Sequence, residues 1–429
     1  MNMKSLTAVK IPALVYSIMI AIGCSLPGNR NTNNLKTKIQ KGTYGYDKEF
    51  FVKNKISTIE LRDSLSGASV LIAPGYQGRV MTSTSQGNQG KSYGWINYKL
   101  IESGTVNPQF NPIGGEERFW LGPEGGPFSV YFRKGDDQVF SNWKVPAELD
   151  ILAFKVVSSG NDFAGFHKDF SITSASGAVM QIGIDRIVRL LSMSETEKAL
   201  GVELDDSISL VAYESENSLK NTGTNNWTPS SGFLSIWMLS MFNPSEEGIV
   251  FIPFKAGRET ELGKIVNDDY FGKVPSDRLV VKDSVLFFKT DGKFRSKIGI
   301  SPKRALPFCG SYDPVGGVLT LLWYSKPEQQ SNYVNSKWGK QNDPLNGDAV
   351  NSYNDGPVGD GTVMGPFYEL ESSSPAALLT AGSTITHTQR IFHINGKEEK
   401  LSLITEKLFH LTLSQIKDIF NAETISDDK

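Results

Sequence analysis

Two carboxylates, Glu369 and Glu371, stand two residues apart in the run Gly365-Pro366-Phe367-Tyr368-Glu369-Leu370-Glu371-Ser372-Ser373-Ser374-Pro375. If the run is a strand, Phe367, Glu369 and Glu371 share one face while Tyr368 and Leu370 take the other, because side chains alternate along a strand. Paired acids can accept from the hydroxyls of a sugar while a neighbouring ring covers its C–H face. A solvated strand face has the same pattern, and the run alone leaves both readings open.

A second cluster lies in Asn111–Pro127, where Gly114-Gly115 and Gly125-Gly126 bracket Arg118, Trp120 and Glu124. Paired glycines let backbone bend closely around a ligand. Arg118 brings a fork of donors, Glu124 acceptors and Trp120 a flat apolar surface, which is what a pyranose needs. The alternative is a glycine-rich connection with a buried tryptophan and a structural ion pair. A third stretch, Asn346–Pro357, is dense in Asp and Asn and carries Asp348, Asn351 and Tyr353. Convergent oxygens suit sugar hydroxyls or Ca²⁺, but the spacing is not that of an EF-hand. A fourth, Asn217–Trp227, reads as a polar turn before an apolar strand that contains Trp237, a further candidate for the groove.

Other chemistries lack a motif. The four histidines, His167, His387, His393 and His410, show no zinc-site spacing and read as structural or exposed. No nucleophile elbow, P-loop or dinucleotide fingerprint occurs. No metal site and no cofactor are expected. Cys309 reads as a small buried hydrophobe. A net charge of -2 leaves no basic footprint, so nucleic acid is not an expected partner.

The elements that must position these residues are strands. Hydrophobic content of 39% and charged content of 21% fit a globular body, and 41 Gly and 20 Pro fit frequent turns. Strand-like runs appear at Ile56–Leu61, Ala68–Ile72, Gly78–Thr84, Ser129–Phe132, Leu149–Val157, Met180–Asp185, Ser207–Tyr213 and Phe233–Phe242. They continue at Ile249–Phe254, Leu279–Val281, Val285–Phe288, Lys297–Ile300, Val318–Tyr324, Met364–Glu371 and Thr386–Ile394. Phe233–Phe242 is apolar on both faces and so reads as central. Helical signals are confined to Ser194–Leu200, with a capping-box start, and to Glu399–Phe409 and Ser414–Phe420. With no 20–50-residue repeat, the expectation is all-β: one large antiparallel sandwich over 46–395 with a C-terminal helical segment, 396–429.

The N-terminus reads differently. Lys4 and Lys10 precede the apolar run Ile11–Ile22, which ends in Ala21-Ile22-Gly23-Cys24 and resembles a bacterial lipoprotein cleavage box. The expectation is a signal peptide over 1–23, a lipidated Cys24, a flexible tether over 24–45 and a body anchored to a membrane of the cell envelope, periplasmic or surface-facing. An ordinary signal peptide is the alternative.

Together the stretches resemble the galactose-mutarotase-like (aldose 1-epimerase-like) superfamily. Ile59-Glu60-Leu61 and Ala68–Arg79 look like its opening hairpin, and Gly114-Gly115…Trp120…Pro123-Glu124 like its Gly-Gly…Trp…Pro-Glu segment. Asn217…Asn221-Thr222-Gly223 is similar to its Asn-containing turn, and Leu370-Glu371…Pro375…Leu379-Thr380-Ala381-Gly382-Ser383 to its final signature. The resemblance implies a β-supersandwich and a sugar groove containing Arg118, Trp120, Glu124, Trp237, Asp348, Asn351, Tyr353 and Glu369. It also implies Glu371 as the general base of any epimerase chemistry. The family's His-Pro-Tyr-Phe is replaced by Ile236–Phe242, and His167 is a poor substitute for its histidine. The expected function is therefore carbohydrate binding. An aldose 1-epimerase or other sugar-active enzyme using Glu371, and a non-catalytic structural or interaction lipoprotein, are the alternatives.

Overall fold

The computed structural model describes residues 39–329 and 332–421. The expected signal peptide and Cys24 lie outside the described residues. Among these residues the strands are, in chain order, β1 (Ile59–Arg62), β2 (Ser69–Ala73), β3 (Arg79–Thr84), β4 (Arg118–Gly122), β5 (Lys155–Ser159), β6 (Phe163–Thr173) and β7 (Val179–Leu190). Next come β8 (Ser209–Asn221), β9 (Ser235–Phe242), β10 (Ile249–Pro253), β11 (Leu279–Lys282), β12 (Val285–Lys289) and β13 (Ser296–Ile300). The last are β14 (Phe308–Asp313), β15 (Val318–Tyr324), β16 (Val350–Asn354), β17 (Tyr368–Ser373) and β18 (Thr384–Asn395).

They form a ten-stranded sheet, β11-β12-β10-β14-β15-β18-β8-β7-β6-β5, a five-stranded sheet, β13-β16-β17-β9-β4, and a small sheet, β1-β2-β3. Neighbouring strands run antiparallel throughout the five-stranded sheet. The fold is the large antiparallel sandwich expected.

Alternation decides what each face of the five-stranded sheet meets. Along β17, Tyr368, Leu370 and Ser372 turn to the ten-stranded sheet: Ser372 Oγ lies 2.8 Å from His387 Nε2 and 2.7 Å from Gln389 Oε1 of β18, and Tyr368 Oη 2.7 Å from Ser311 Oγ of β14. Ile236, Met238 and Phe242 of β9 fill the same apolar interior. All eight residues of β9 are buried, as its two-sided apolar sequence implies.

One buried ion pair crosses the sandwich. Arg186 donates to Glu117 at 2.6 Å, to Asn217 at 2.5 Å and to the Gly78 carbonyl at 3.0 Å. Glu117 also accepts from Ser215 at 3.0 Å and Gln389 at 2.7 Å. Charges removed from water persist only when bonded in this way.

The C-terminal helices Glu398–Phe409 and Leu413–Lys417 cover the other face of the ten-stranded sheet, where Leu401, Ile404, Leu413 and Ile416 pack with Phe251, Leu319, Leu321 and Phe392. No helix among the described residues is long and apolar enough to cross a membrane.

Several elements differ from expectation. Helix Tyr44–Lys53, capped by Thr43 with Tyr44 and Phe51 buried, begins in the last two residues of the stretch read as tether and opens the body, where no helix was expected. Ser129–Phe132 is buried but not a strand, and Leu149–Val157 divides into the end of a short helix, Ala147–Asp150, and the start of β5. The capping box near residue 194 belongs to Ser192 and Glu195, which start the helix at Met193. Asn217 is not in a turn: it lies deep within β8, on the ten-stranded sheet.

Candidate functional site

The other face of the five-stranded sheet is the floor of a groove, a cavity of about 590 Å³ within the range typical of small-molecule sites. Register places the floor side chains in three rows. One runs Arg118, Leu239, Glu371, Asn351 and Gly299. A second runs Trp120, Trp237 and Ser373, and a third Met241, Glu369, Tyr353 and Lys297. Side chains opposite one another on neighbouring strands sit about 4.5–5.5 Å apart at Cβ, and across the rows the floor brings Arg118 within hydrogen-bond distance of Glu369, 251 positions away. Walls come from the loops, which supply Phe110, Glu124, Trp143, Tyr270, Phe271, Trp338 and Asp348.

The sequence-predicted residues therefore come together. Arg118, Trp120, Glu124, Trp237, Asp348, Asn351, Tyr353 and Glu369 all line the cavity. Glu371 lies in the floor beneath them, 1% exposed. Asp348, Asn351 and Tyr353 do so for an unforeseen reason. Their Asp/Asn-rich stretch contains a strand, β16, in which Asn351 and Tyr353 face the groove, and Asp348 stands two residues before it. Gly299 makes room for it: a Cβ there would stand 2.1 Å from Asp348 Oδ2 and 2.4 Å from Asn351 Nδ2. The Asp348 carboxylate accepts from Asn267 at 2.7 Å and from the Tyr270 hydroxyl. Asn351 donates to that hydroxyl at 3.2 Å.

Two cations are set among three glutamates. Lys297 Nζ donates to Glu371 Oε2 at 2.8 Å, and Trp237 Nε1 donates to the same oxygen at 2.9 Å. Arg118 Nη2 donates to Glu369 Oε1 at 3.2 Å, with its guanidinium 4.1 Å from the centre of the Trp120 ring. Burial pushes the Glu369 carboxyl up to about 8, against the pull of Arg118 and with the help of Glu371. Burial likewise raises Glu124, with Lys297 opposing and Glu371 adding to it. Burial pushes Lys297 the other way, yet Glu371 and Glu124 outweigh it and hold the ammonium charged.

The site holds unmet hydrogen-bonding capacity. Arg118 Nε and Nη1 and Glu371 Oε1 are buried with no hydrogen-bond partner among the described residues. A buried donor or acceptor left unmet costs about 1–3 kcal/mol, more when charged.

No histidine lines the cavity. His387 and His393 are buried between the sheets. His167 lies on β6, bonded to Asp185 at 2.7 Å and Asp169 at 3.0 Å on an exposed face. Burial pushes the Cys309 thiol up. Among the described residues no cluster of His, Cys, Asp and Glu has the geometry of a metal site.

Sequence reasoning missed Lys297, Tyr270, Trp143 and Trp338. Lys297 could have been found as the lone cation entering an apolar strand, Lys297–Ile300. Trp143 and Trp338 are isolated tryptophans in polar loops, and only the fold brings them to the groove.

The chain belongs to a family of unknown function, DUF6786, whose model matches residues 42–420. No curated protein matches it in sequence. Solved structures similar to it include the Slr1438 protein of Synechocystis sp. PCC 6803, at 13% identity and a TM-score of 0.46 over 80% of this chain and 96% of that one. Another is a putative aldose 1-epimerase from Escherichia coli K12, at 10% identity and a TM-score of 0.46 over 80% and 100%. A galactose mutarotase-like protein from Lactobacillus casei is similar at 10% identity and a TM-score of 0.42 over 79% and 100%.

Proposed function

We propose that the protein binds a carbohydrate in the groove of the five-stranded sheet. The observation that carries this reading is the pairing of unmet donors on Arg118 with an unmet acceptor on Glu371, in one row of the floor beside Trp120 and Trp237. A sugar hydroxyl both donates and accepts, so one ring edge can satisfy guanidinium and carboxylate while its C–H face lies on an indole. Titration with free aldoses, followed by tryptophan fluorescence, tests it. Saturable binding is expected, weakened about tenfold to a hundredfold by Glu371→Gln or Arg118→Met. No saturable response to any sugar, with the protein folded, refutes it.

A second reading is catalytic, an aldose 1-epimerase or other sugar-active enzyme. One Glu371 oxygen is fixed by Lys297 and Trp237 while the other is unmet, which is the arrangement of a positioned general base. Glu371 would take the anomeric hydroxyl proton. The bond from C1 to the ring oxygen would break as that oxygen gains a proton, with the Lys297 ammonium as the donor in place of a histidine. Rotation about the C1–C2 bond turns the aldehyde, and on reclosure the hydroxyl gives its proton back to the Lys297 amine while Glu371 returns its own to the new anomeric oxygen. Proton NMR of freshly dissolved α-aldoses decides: anomer exchange no faster than in buffer, with binding intact, leaves a binding protein only.

Export and anchoring are part of the same proposal, supported by the apolar run that ends at Gly23-Cys24. Labelled fatty acid should enter the wild-type protein and not the Cys24→Ala variant, which should leave the membrane fraction.

A further inference from the structure

The groove does not end at its floor. Ring centres lead outward from Trp237 to Trp120 at 5.6 Å, from Trp120 to Trp143 at 6.4 Å and from Trp143 to Trp338 at 6.4 Å. The last two rings are within 21° of parallel, and Phe140 stacks on Trp143 at 6.0 Å and 16°. Trp120 and Trp237 are buried, whereas Phe140 is 64% and Trp338 37% exposed. The aromatic surface thus climbs from the floor to open solvent in steps comparable to the rise of one pyranoside along a chain.

This rim is built, not incidental. The Gln138 side chain accepts from the Gly126 amide at 2.8 Å and the Gly339 amide at 2.7 Å, and donates to the Gly126 carbonyl at 2.8 Å. It ties the loops that carry Phe140 and Trp338 to the segment that carries Glu124. Gln109 donates to the Phe140 and Trp143 carbonyls at 2.6 and 2.9 Å. A Cβ at Gly125 would stand 2.3 Å from the Lys337 carbonyl oxygen, so only glycine lets the two loops touch. Rigid aromatics held in solvent mark a binding surface. The Trp143 indole N–H, on a ring that lines the groove and is 6% exposed, is also buried without an acceptor among the described residues.

We propose that the ligand is a chain of at least two pyranosides, with its terminal ring on the Arg118–Glu371 floor and the next on the Trp143–Trp338 platform. This rests on the carbohydrate reading and narrows it from free monosaccharide to oligosaccharide. A protein partner fits less well, because the platform is continuous with the cavity over the Arg118–Glu371 floor.

The probes are glucose, galactose and mannose against the di- to hexasaccharides of cellulose, starch and β-mannan, measured by titration calorimetry. Wild type should bind at least one oligomer series about tenfold or more tighter than its monosaccharide, consistent with one or two stacked rings. Trp338→Ala removes a ring of the platform and Phe140→Ala the exposed ring that stacks beside it. Both should reduce that gain, and Phe140→Ala should do so with monosaccharide binding and the melting temperature as in wild type. Oligomers that bind no tighter than the monosaccharide overturn the inference and leave the carbohydrate reading standing. So do rim variants that bind oligomers like wild type, an outcome that assigns the platform to another partner. Absence of binding to every sugar fells the carbohydrate reading and the inference with it.

Discussion

Replacing Lys297 with methionine keeps the aliphatic stem and removes the charge that faces Glu371. The Lys297 side chain is 13% and that of Glu371 1% exposed, so water cannot take over the lost contact. Breaking a buried pair by deleting one partner costs about 3–5 kcal/mol, because the surviving charge is left uncompensated. Trp237 Nε1 still donates to Glu371, which places the expected cost near the lower end, about 3 kcal/mol. At an unfolding entropy of about 2.1 cal/mol/K per residue, a body of this size should melt roughly 4 °C lower.

The assay is calorimetric melting of wild type, Lys297→Met, Glu371→Gln and the double variant. Once the glutamate is neutral, the missing lysine should matter little. The double variant should therefore recover most of the loss, with a coupling energy above about 1.5 kcal/mol. A single Lys297→Met variant that melts with wild type refutes the argument. A double variant no more stable than that single variant refutes it equally.

Three further outcomes follow from the same structure. Glu369, held up to about 8 by burial, keeps its proton in the fold where the unfolded chain loses it near 4.5, so its contribution to stability falls as pH climbs between those values. Glu369→Gln should flatten the slope of denaturation free energy over that interval, and an unchanged slope counts against the assignment. Burial pushes His387 down to about 3, so the unfolded chain binds a proton that the fold refuses, and stability falls as pH drops from about 6.5 toward 3. His387→Gln should shift the acid-unfolding midpoint to lower pH, read by circular dichroism. Gly299→Ala drives a methyl into Asp348 and Asn351, and should cost about 1–3 kcal/mol in urea titrations and weaken the proposed sugar binding; a variant as stable as wild type refutes the clash.

What the sequence disclosed depended on how far its signal was local. β9 is apolar at every position and was legible as central, because a two-sided strand needs no alternation. Glu369 and Glu371 were legible as one face because strand parity is local. β16 was not, since Asn351, Ser352 and Asn354 are poor strand formers. They are held in register by β13 on one side and β17 on the other, and Asn354 is also paid for by bonds to the Gly292 amide and the Phe294 carbonyl. β6 and β14 were hidden in the same way, by Lys168, Asp169 and Gly310, which only their neighbours make compatible with a sheet. The aromatic walls were invisible because the loops that carry Phe140, Trp143 and Trp338 meet only in three dimensions.

Two arginines on either side of the same sheet separate architecture from function. Arg186 and Arg118 are both buried, both beside a glutamate, and neither type is expected inside a protein unpaired. Arg186, within the sandwich, uses Nε, Nη1 and Nη2 on Gly78, Asn217 and Glu117. Arg118, in the groove, makes one bond of 3.2 Å to a carboxyl whose own burial raises it, and leaves Nε and Nη1 unmet over the Trp120 ring. Single unmet atoms also occur away from the groove, at Arg79 Nε and Glu116 Oε2. What sets Arg118 apart is that two donors of one guanidinium are unmet, on a residue that lines the cavity and stands beside the unmet oxygen of Glu371, which is why the groove face is the face to probe with ligand.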